Sequence, residues 1–117
     1  MTTLDTIAPV QPDPITMLTD LVPEFRDEYP ITIVMDGFAD RVAQAVRDGG
    51  PEDFLRRAFA FVESLAATRE RRWENLVLVC FLEAASWGRL GAKSRLGPET
   101  RRVLGRADPM MIDPELL

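Results

Sequence analysis

The stretch WENLVLVCFLEAASW, residues 73–87, contains the longest unbroken apolar run of the sequence, from Leu76 to Leu82. Apolar side chains recur in it at i, i+3, i+4, i+7, i+8 and i+11 counted from Trp73, which is the spacing of one helix face. Leu78, Val79 and Leu82 make the remaining faces apolar too, and a helix that is apolar all round belongs in the centre of a domain. We therefore predict a central helix from Glu70 to Trp87, with Trp73 in the core.

Prolines and glycines mark the ends of the other predicted helices. Asp13 followed by Pro14 forms a helix start, so helix one is expected from Pro14 to about Glu28, with Pro23 either kinking or splitting it. Helix three begins at Pro51 and fades near Ala67. Helix five is short and runs from Pro98 to Leu104.

The second helix is capped by Thr32 or by Asp36 and ends at Gly49 and Gly50, which are typical C-terminal residues. The β-branched segment 31–35 leaves a short strand open as an alternative. Together these elements predict an all-α fold, a single-domain bundle or short α-solenoid of about five helices. We expect a proline-rich arm at 1–13, the helical domain at 14–108 and an apolar tail at 109–117.

The composition is that of a globular protein of 117 residues, with 46% hydrophobic side chains. The single cysteine, Cys80, excludes an internal disulfide and fits a reducing compartment. The first residues lack the basic and apolar regions of a signal peptide, and no apolar run approaches the roughly 20 residues of a membrane helix. We expect a cytoplasmic protein without a membrane segment.

The charge is distributed unevenly along the chain. Residues 1–53 carry eleven acidic and three basic side chains, whereas residues 54–108 carry six acidic and eleven basic ones, and the net charge is −5. A net negative field repels nucleic acid but attracts a basic protein surface. The candidate partner-binding residues form what we call the acidic face: Glu24, Asp27, Glu28, Asp36 and Asp40.

The sequence offers little for catalysis. It has no histidine, which removes the most frequent general base and metal ligand, and Cys80 lies in an apolar stretch where a thiolate is costly. The segment 88–94 has alanine where a phosphate-binding loop needs glycine before Lys93. The pairs Glu24/Glu28 and Asp36/Asp40 leave a metal-dependent enzyme as a remote alternative. We predict a protein that is not an enzyme and holds no cofactor or metal.

Three segments resemble an uncharacterised bacterial family of small helical proteins, some of which look like immunity proteins of polymorphic toxin systems. They are residues 34–40 (VMDGFAD), residues 75–83 with their Phe-Leu-Glu ending, and residues 96–100 (LGPET). Pro23-Glu24-Phe25 matches the family's acidic opening. The likeness spans about residues 15 to 104.

The resemblance implies a protein that neutralises a cognate toxin by stoichiometric binding, with a basic bacterial toxin domain as partner. The charges suggest that the acidic face makes the contact. A helical scaffold or regulatory adaptor is the alternative, a homo-oligomer joined through the tail residues Met110, Met111, Ile112, Leu116 and Leu117.

Overall fold

The computed structural model describes residues 14–23 and 31–116, and within these ranges the chain is helical and contains no strand. Four α-helices have more than five residues: α1 (Pro14–Leu21), α2 (Ile31–Asp48), α3 (Glu52–Ala67) and α5 (Pro98–Leu104). The fourth, α4 (Arg71–Asn75), continues directly into a π-helix, Leu76–Leu82, which we call the π segment. Short 3₁₀ turns follow at Ala92–Arg95 and Pro114–Leu116. The predicted all-α bundle of five helices is confirmed.

The first two helices differ from their predictions at the ends. Helix α1 ends at Leu21 rather than near Glu28, because Pro23 has no amide hydrogen with which to continue it. Helix α2 begins at Ile31, so Thr32 and Asp36 lie inside the helix and neither caps it, and the strand alternative for 31–35 is wrong. These five residues belong to a helix of 18 residues whose apolar side is buried, and that packing outweighs the local β preference.

The C-terminus of α2 lies where Gly49 and Gly50 predict it. Gly49 adopts the left-handed conformation with a φ of 79°, and its amide donates to the carbonyl of Val46. The amide of Gly50 donates to the carbonyl of Ala45 at 2.9 Å, so the pair completes a Schellman motif. Helix α3 starts directly after Pro51, as expected.

The predicted central helix is interrupted. It ends at Leu82 rather than Trp87, and its second half has π geometry, in which the amide of Glu83 reaches back five residues to Leu78. The indole Nε1 of Trp87 donates to the Phe81 carbonyl at 2.7 Å, and Trp87 stacks on the Phe81 ring. In a longer α-helix, the Phe81 carbonyl would accept a hydrogen bond from the amide of residue 85. The indole of Trp87 occupies this acceptor instead. The chain turns after Glu83 and carries Trp87 into the core.

Aromatic rings form the centre of the bundle. Phe81 lies 4.7 Å from Trp87, 5.8 Å from Phe59 and 5.9 Å from Phe38, measured between ring centroids. Phe38 in turn meets Phe61 edge to face at 5.4 Å. These rings come from α2, α3, the π segment and the connector after it, so one cluster joins four parts of the chain.

Trp73 is the exception among the large aromatic residues that the structure describes. It is half-buried and packs against the edge of the core rather than inside it, and the guanidinium of Arg72 covers its ring at 4.1 Å. The change from α to π geometry after Asn75 alters the angle around the helix axis between Trp73 and Phe81, so the two side chains no longer share a face. A regular helical period cannot predict this change.

The N-terminus of α5 is capped by a side chain from α3. The Glu63 carboxylate accepts hydrogen bonds from the amides of Glu99 and Thr100, both at 2.9 Å, and from the Thr100 hydroxyl at 2.8 Å. Gly97 leaves the space for it, because a Cβ at this position would lie 2.3 Å from Glu63 Oε1. The Leu-Gly-Pro start of α5 is therefore required by a contact with another helix.

A buried carboxylate ties α4 to α5. Glu74 is only 3% exposed and pairs with Arg102, 2.7 Å away, and with Arg106. Burial opposes its ionisation, but the hydrogen bonds and charges of the two arginines outweigh burial and lower the pKa of Glu74. Arg102 also pairs with Glu99, and Glu99 holds Arg69 through two hydrogen bonds of 3.1 and 3.2 Å.

We expect Gly97→Ala to lower the free energy of unfolding by about 1–3 kcal/mol, because the added methyl group displaces the Glu63 carboxylate from the amides of α5. Urea denaturation measures this. Gly105→Ala is the control: Gly105 has a φ of −63° and its nearest neighbour would be 3.4 Å away, so stability should stay the same or rise slightly. Equal losses from both substitutions would contradict the cap.

We expect Glu74→Gln to cost about 1–3 kcal/mol at pH 7, less than a fully buried pair would, because Arg102 and Arg106 reach solvent. The pKa of Glu74 is lowered on folding, so its ionised form stabilises the protein above about pH 4.5, the ordinary value. This stabilisation is lost as the pH falls through the lowered pKa.

The difference in stability between wild type and Glu74→Gln should therefore shrink on acidification from pH 7 to pH 3, as measured by urea denaturation at each pH. Glu115→Gln, an exposed site, should change stability by less than about 0.5 kcal/mol. A Glu74→Gln deficit that is constant with pH would argue against the ionised pair.

Candidate partner-binding face

The structure brings two residues of the predicted acidic face together on α2. Asp36 and Asp40 are both exposed. Each lies two positions from the buried Phe38, which is about 200° around the helix, so both carboxylates point away from the core. Glu24, Asp27 and Glu28, the other three residues, lie outside the residues that the structure describes.

Asp36 and Asp40 form no ion pair with any residue in the described ranges. Nearby, the guanidinium of Arg41 lies over the Phe54 ring at 4.6 Å, and Asp48 accepts a hydrogen bond from Gln44. The two aspartates therefore retain their charge for a partner.

The basic half of the sequence is different, because many of its arginines bind carboxylates of the same chain. Arg69 pairs with Glu99, and Arg95 binds both oxygens of Glu52 at 2.8 and 3.0 Å. The remaining pairs join Arg56 and Arg57 to Asp53, Arg72 to Glu70, and Arg102 and Arg106 to Glu74. Internal pairing thus reduces the field of the basic half.

The π segment, which packs against α2, exposes an apolar side chain. Val79 is 55% exposed, the largest exposure of any residue in this segment's apolar run. The next residue, Cys80, is buried, and the charges of both Asp36 and Glu83 act on it. Asp36 on α2 and Glu83 after the π segment therefore both lie near Cys80, where these elements pack together, and with the exposed Val79 we call these residues the α2–π edge.

The sequence did not identify Val79 or Glu83 as surface contacts. A run that is apolar on every side gives no indication of which position faces solvent, and π geometry changes the angle between successive side chains. The spacing of four between Val79 and Glu83 was a weak signal, since it places an acid and a valine on one side of an ordinary helix.

Cys80 is not activated as a nucleophile. Burial, together with the negative charges of Asp36 and Glu83, raises the pKa of its thiol. The side chain packs within the core and remains protonated at neutral pH, as the sequence suggested.

Among residues 14–23 and 31–116, no three histidine, cysteine, aspartate or glutamate side chains lie close enough together to hold a metal ion. In the same ranges, no helix has the length and apolarity needed to cross a membrane.

A surface cavity of about 340 Å³ lies along α3, with Leu55 and Phe59 in its wall. Its charged side chains are already bound: Glu52 holds Arg95, and Glu63 caps α5. They therefore stabilise the contact between α3 and the chain before α5, and none converges on an open position.

Residues 15–108 match the model of the family described as Domain of unknown function (DUF7674). The chain belongs to this family. The match includes α2, the π segment and the whole α2–π edge, whereas the tail from residue 109 lies outside it. No curated protein and no solved structure matches the chain. The resemblance to an uncharacterised family of helical proteins is confirmed in this coarse form.

We expect Cys80 to react with a chromogenic disulfide reagent at pH 8 at least about 100-fold more slowly than glutathione does, because the thiol is buried and its pKa is raised. Asp36→Asn and Glu83→Gln each remove a negative charge that raises this pKa, so each should speed the reaction about two- to threefold. Asp40→Asn is the control and should leave the rate unchanged. Equal effects of all three substitutions would contradict the α2–π edge.

Proposed function

We propose that this domain binds another protein through the acidic face, as an immunity-type inhibitor that neutralises a cognate bacterial toxin in the cytoplasm. The observation that carries the proposal is the pair Asp36 and Asp40, which is exposed and without an ion pair among the described residues. The resemblance of residues 34–40 and 75–83 to families with immunity-like members supports the choice of a toxin as partner.

The acidic face is suited to a basic protein surface. Unpaired carboxylates attract a positively charged partner over long distances and raise the association rate, and this effect weakens with salt. The same charge repels the phosphates of nucleic acid. Toxin domains that cleave nucleic acid carry basic clefts, so an acidic protein that covers such a cleft also blocks access of the substrate.

The α2–π edge adds what charges alone do not supply. Val79, exposed on the π segment that packs against α2, gives the partner an apolar contact. Interfaces combine a small desolvated centre with a polar rim, and the centre limits dissociation. Helix α2 presents Asp36 and Asp40 on a rigid element, because its opposite side is fixed by Phe38 and Val42 in the core.

The test is binding to the toxin encoded beside the gene for this chain, measured by surface plasmon resonance at low and high salt. The double variant Asp36→Lys/Asp40→Lys should lower the association rate about 10- to 100-fold at low salt and weaken affinity. The control, Asp20→Lys/Asp48→Lys, makes the same change in net charge at exposed positions elsewhere.

If both double variants weaken binding equally, net charge alone is responsible and the acidic face is wrong. Unchanged affinity of the Asp36/Asp40 variant leads to the same conclusion. A toxin that does not bind the wild-type chain removes the immunity function.

A self-associating scaffold or adaptor is the second candidate, favoured by two methionines of the tail. Met110 is 88% exposed and Met111 58% exposed, whereas Ile112 and Leu116 are buried in the same chain. Sedimentation of the wild type distinguishes the two functions. A mass near 13.2 kDa at micromolar concentration excludes self-association, and a multiple that Met110→Ser/Met111→Ser converts to the monomer supports it.

A further inference from the structure

The tail covers an apolar groove on the helical domain. Leu116 lines a cavity of about 230 Å³ together with Leu96, which follows the first 3₁₀ turn, and Leu104, the last residue of α5. All three leucines are buried, so the tail supplies one side of an apolar contact and the domain supplies the other. We call the domain side, formed by Lys93, Leu96, Arg101 and Leu104, the tail groove.

The family match separates this groove from the residues that cover it. The tail groove lies within residues 15–108, which match the family, whereas the buried Ile112 and Leu116 lie beyond them. In this chain the tail therefore occupies a surface that belongs to the family's domain, and it does so with residues that the family model does not include.

Few interactions hold the tail in place. The hydrogen bonds of residues 109–116 are all local, because their amides donate to Asp108 and Asp113. No hydrogen bond or ion pair joins these residues to the described chain before residue 108, so the buried side chains of Ile112 and Leu116 are the anchors. A segment that is anchored in this way opens locally at a lower free energy than the core does.

Asp113 adds a cost to the docked tail. Its Oδ1 accepts from the amide of Glu115 at 3.0 Å, whereas Oδ2 is shielded from solvent and receives no hydrogen bond from the described residues. A carboxylate oxygen that is withdrawn from water without a donor raises the free energy of the docked state. Detachment returns this oxygen to water, so the tail is bound less tightly than its apolar anchors alone would allow.

The charges of the tail and of its groove are complementary. Residues 109–116 carry two acidic side chains, Asp113 and Glu115, and no basic one, whereas Lys93 and Arg101 line the groove. Arg101 is exposed and forms no ion pair with the described residues, and its guanidinium donates only to the Lys93 carbonyl, at 3.4 Å. Arg101 can therefore bind a carboxylate at the edge of the apolar contact.

We propose that the tail is an internal competitor for a second protein-binding site. The tail detaches, and an acidic segment of another protein takes its place in the tail groove. A leucine of that segment packs against Leu96 and Leu104, and a carboxylate of the segment binds Arg101. This partner differs from the basic toxin domain of the proposed function, because the groove has the opposite charge, and neither proposal depends on the other.

The test is fluorescence anisotropy with a labelled peptide of the tail's own sequence, residues 108–117 (DPMMIDPELL), amidated at its C-terminus. The wild-type full chain should bind it weakly, because the attached tail competes. Gly88→Ala should tighten binding at least about tenfold by displacing the tail. A Cβ at Gly88 would lie 2.6 Å from Glu115 Cβ and 2.7 Å from Leu116 N, and the φ of Gly88 is not positive, so its own backbone accepts alanine.

A second tail variant and two controls complete the experiment. Leu116→Ser removes an anchor and should have the same effect as Gly88→Ala, and its freed tail lacks the leucine needed to enter the groove of a second copy. Adding Arg101→Glu to either variant should weaken the peptide about three- to tenfold. Arg71→Glu, the same charge change at an exposed arginine elsewhere, should weaken it less than about twofold. A peptide that carries Leu116→Ser should bind about tenfold more weakly.

The proposal is overturned if neither Gly88→Ala nor Leu116→Ser binds the peptide more tightly than the wild type. It is also overturned if the serine peptide binds equally well, or if Arg101→Glu weakens binding no more than Arg71→Glu. Circular dichroism checks the helices of both tail variants. Loss of the helices in both would show that the tail is part of the fold and does not detach, which overturns the proposal as well.

Discussion

The contacts of the Phe81 ring hold the described parts of the chain together. Phe81 touches Phe38 of α2, Phe59 of α3 and Trp87 of the connector. The indole of Trp87 also binds the Phe81 carbonyl, so the same residue that packs on the ring ends the helix that carries it. Helices α2 and α3 and the π segment therefore have their inner sides fixed against one ring cluster, and their outer sides are defined as a consequence. The exposure of Asp36 and Asp40 depends on this arrangement.

The helices that could be predicted from the sequence are those whose limits are local. Gly49 and Gly50 end α2 because its C-terminal turn involves only neighbouring residues, and Pro98 and Gly105 mark the ends of α5, although the cap that Glu63 supplies is not local. The exposure of Asp36 and Asp40 followed from the helical period around Phe38. These features need no knowledge of the rest of the fold.

The features that were missed depend on contacts between distant residues. The π segment and the early end of the central helix require the hydrogen bond from Trp87 to the Phe81 carbonyl. The spacing of apolar residues in the sequence does not indicate this contact. Trp87, expected within the central helix, lies beyond its end but is fully buried, and Trp73, expected in the core, is half-buried at the edge of the core. The cavity between Glu83 and Asp113 exists only because residues 111–114 fold back onto residues 83–89.

The charge separation seen along the sequence is largely resolved inside the fold. Acidic groups of the first half and basic groups of the second meet at Glu52 and Arg95, and carboxylates within the second half hold Arg69, Arg102 and Arg106. A count by sequence position overestimated the basic end for this reason. Asp36 and Asp40 on α2 form no ion pair with the described residues, and both lie on one side of the helix. Such a local field directs encounters with a partner more than net charge does.

The tail shows that a family boundary and a folding boundary need not coincide. The match to the family ends at residue 108, yet Ile112 and Leu116 are buried beyond it. The backbone at Glu115 lies so close to Gly88 that a Cβ there would be 2.7 Å away. A fragment cut at residue 108 would uncover part of the core, so any activity it lost would report a damaged fold rather than a missing contact. Functional dissection of this chain therefore has to proceed by point substitution.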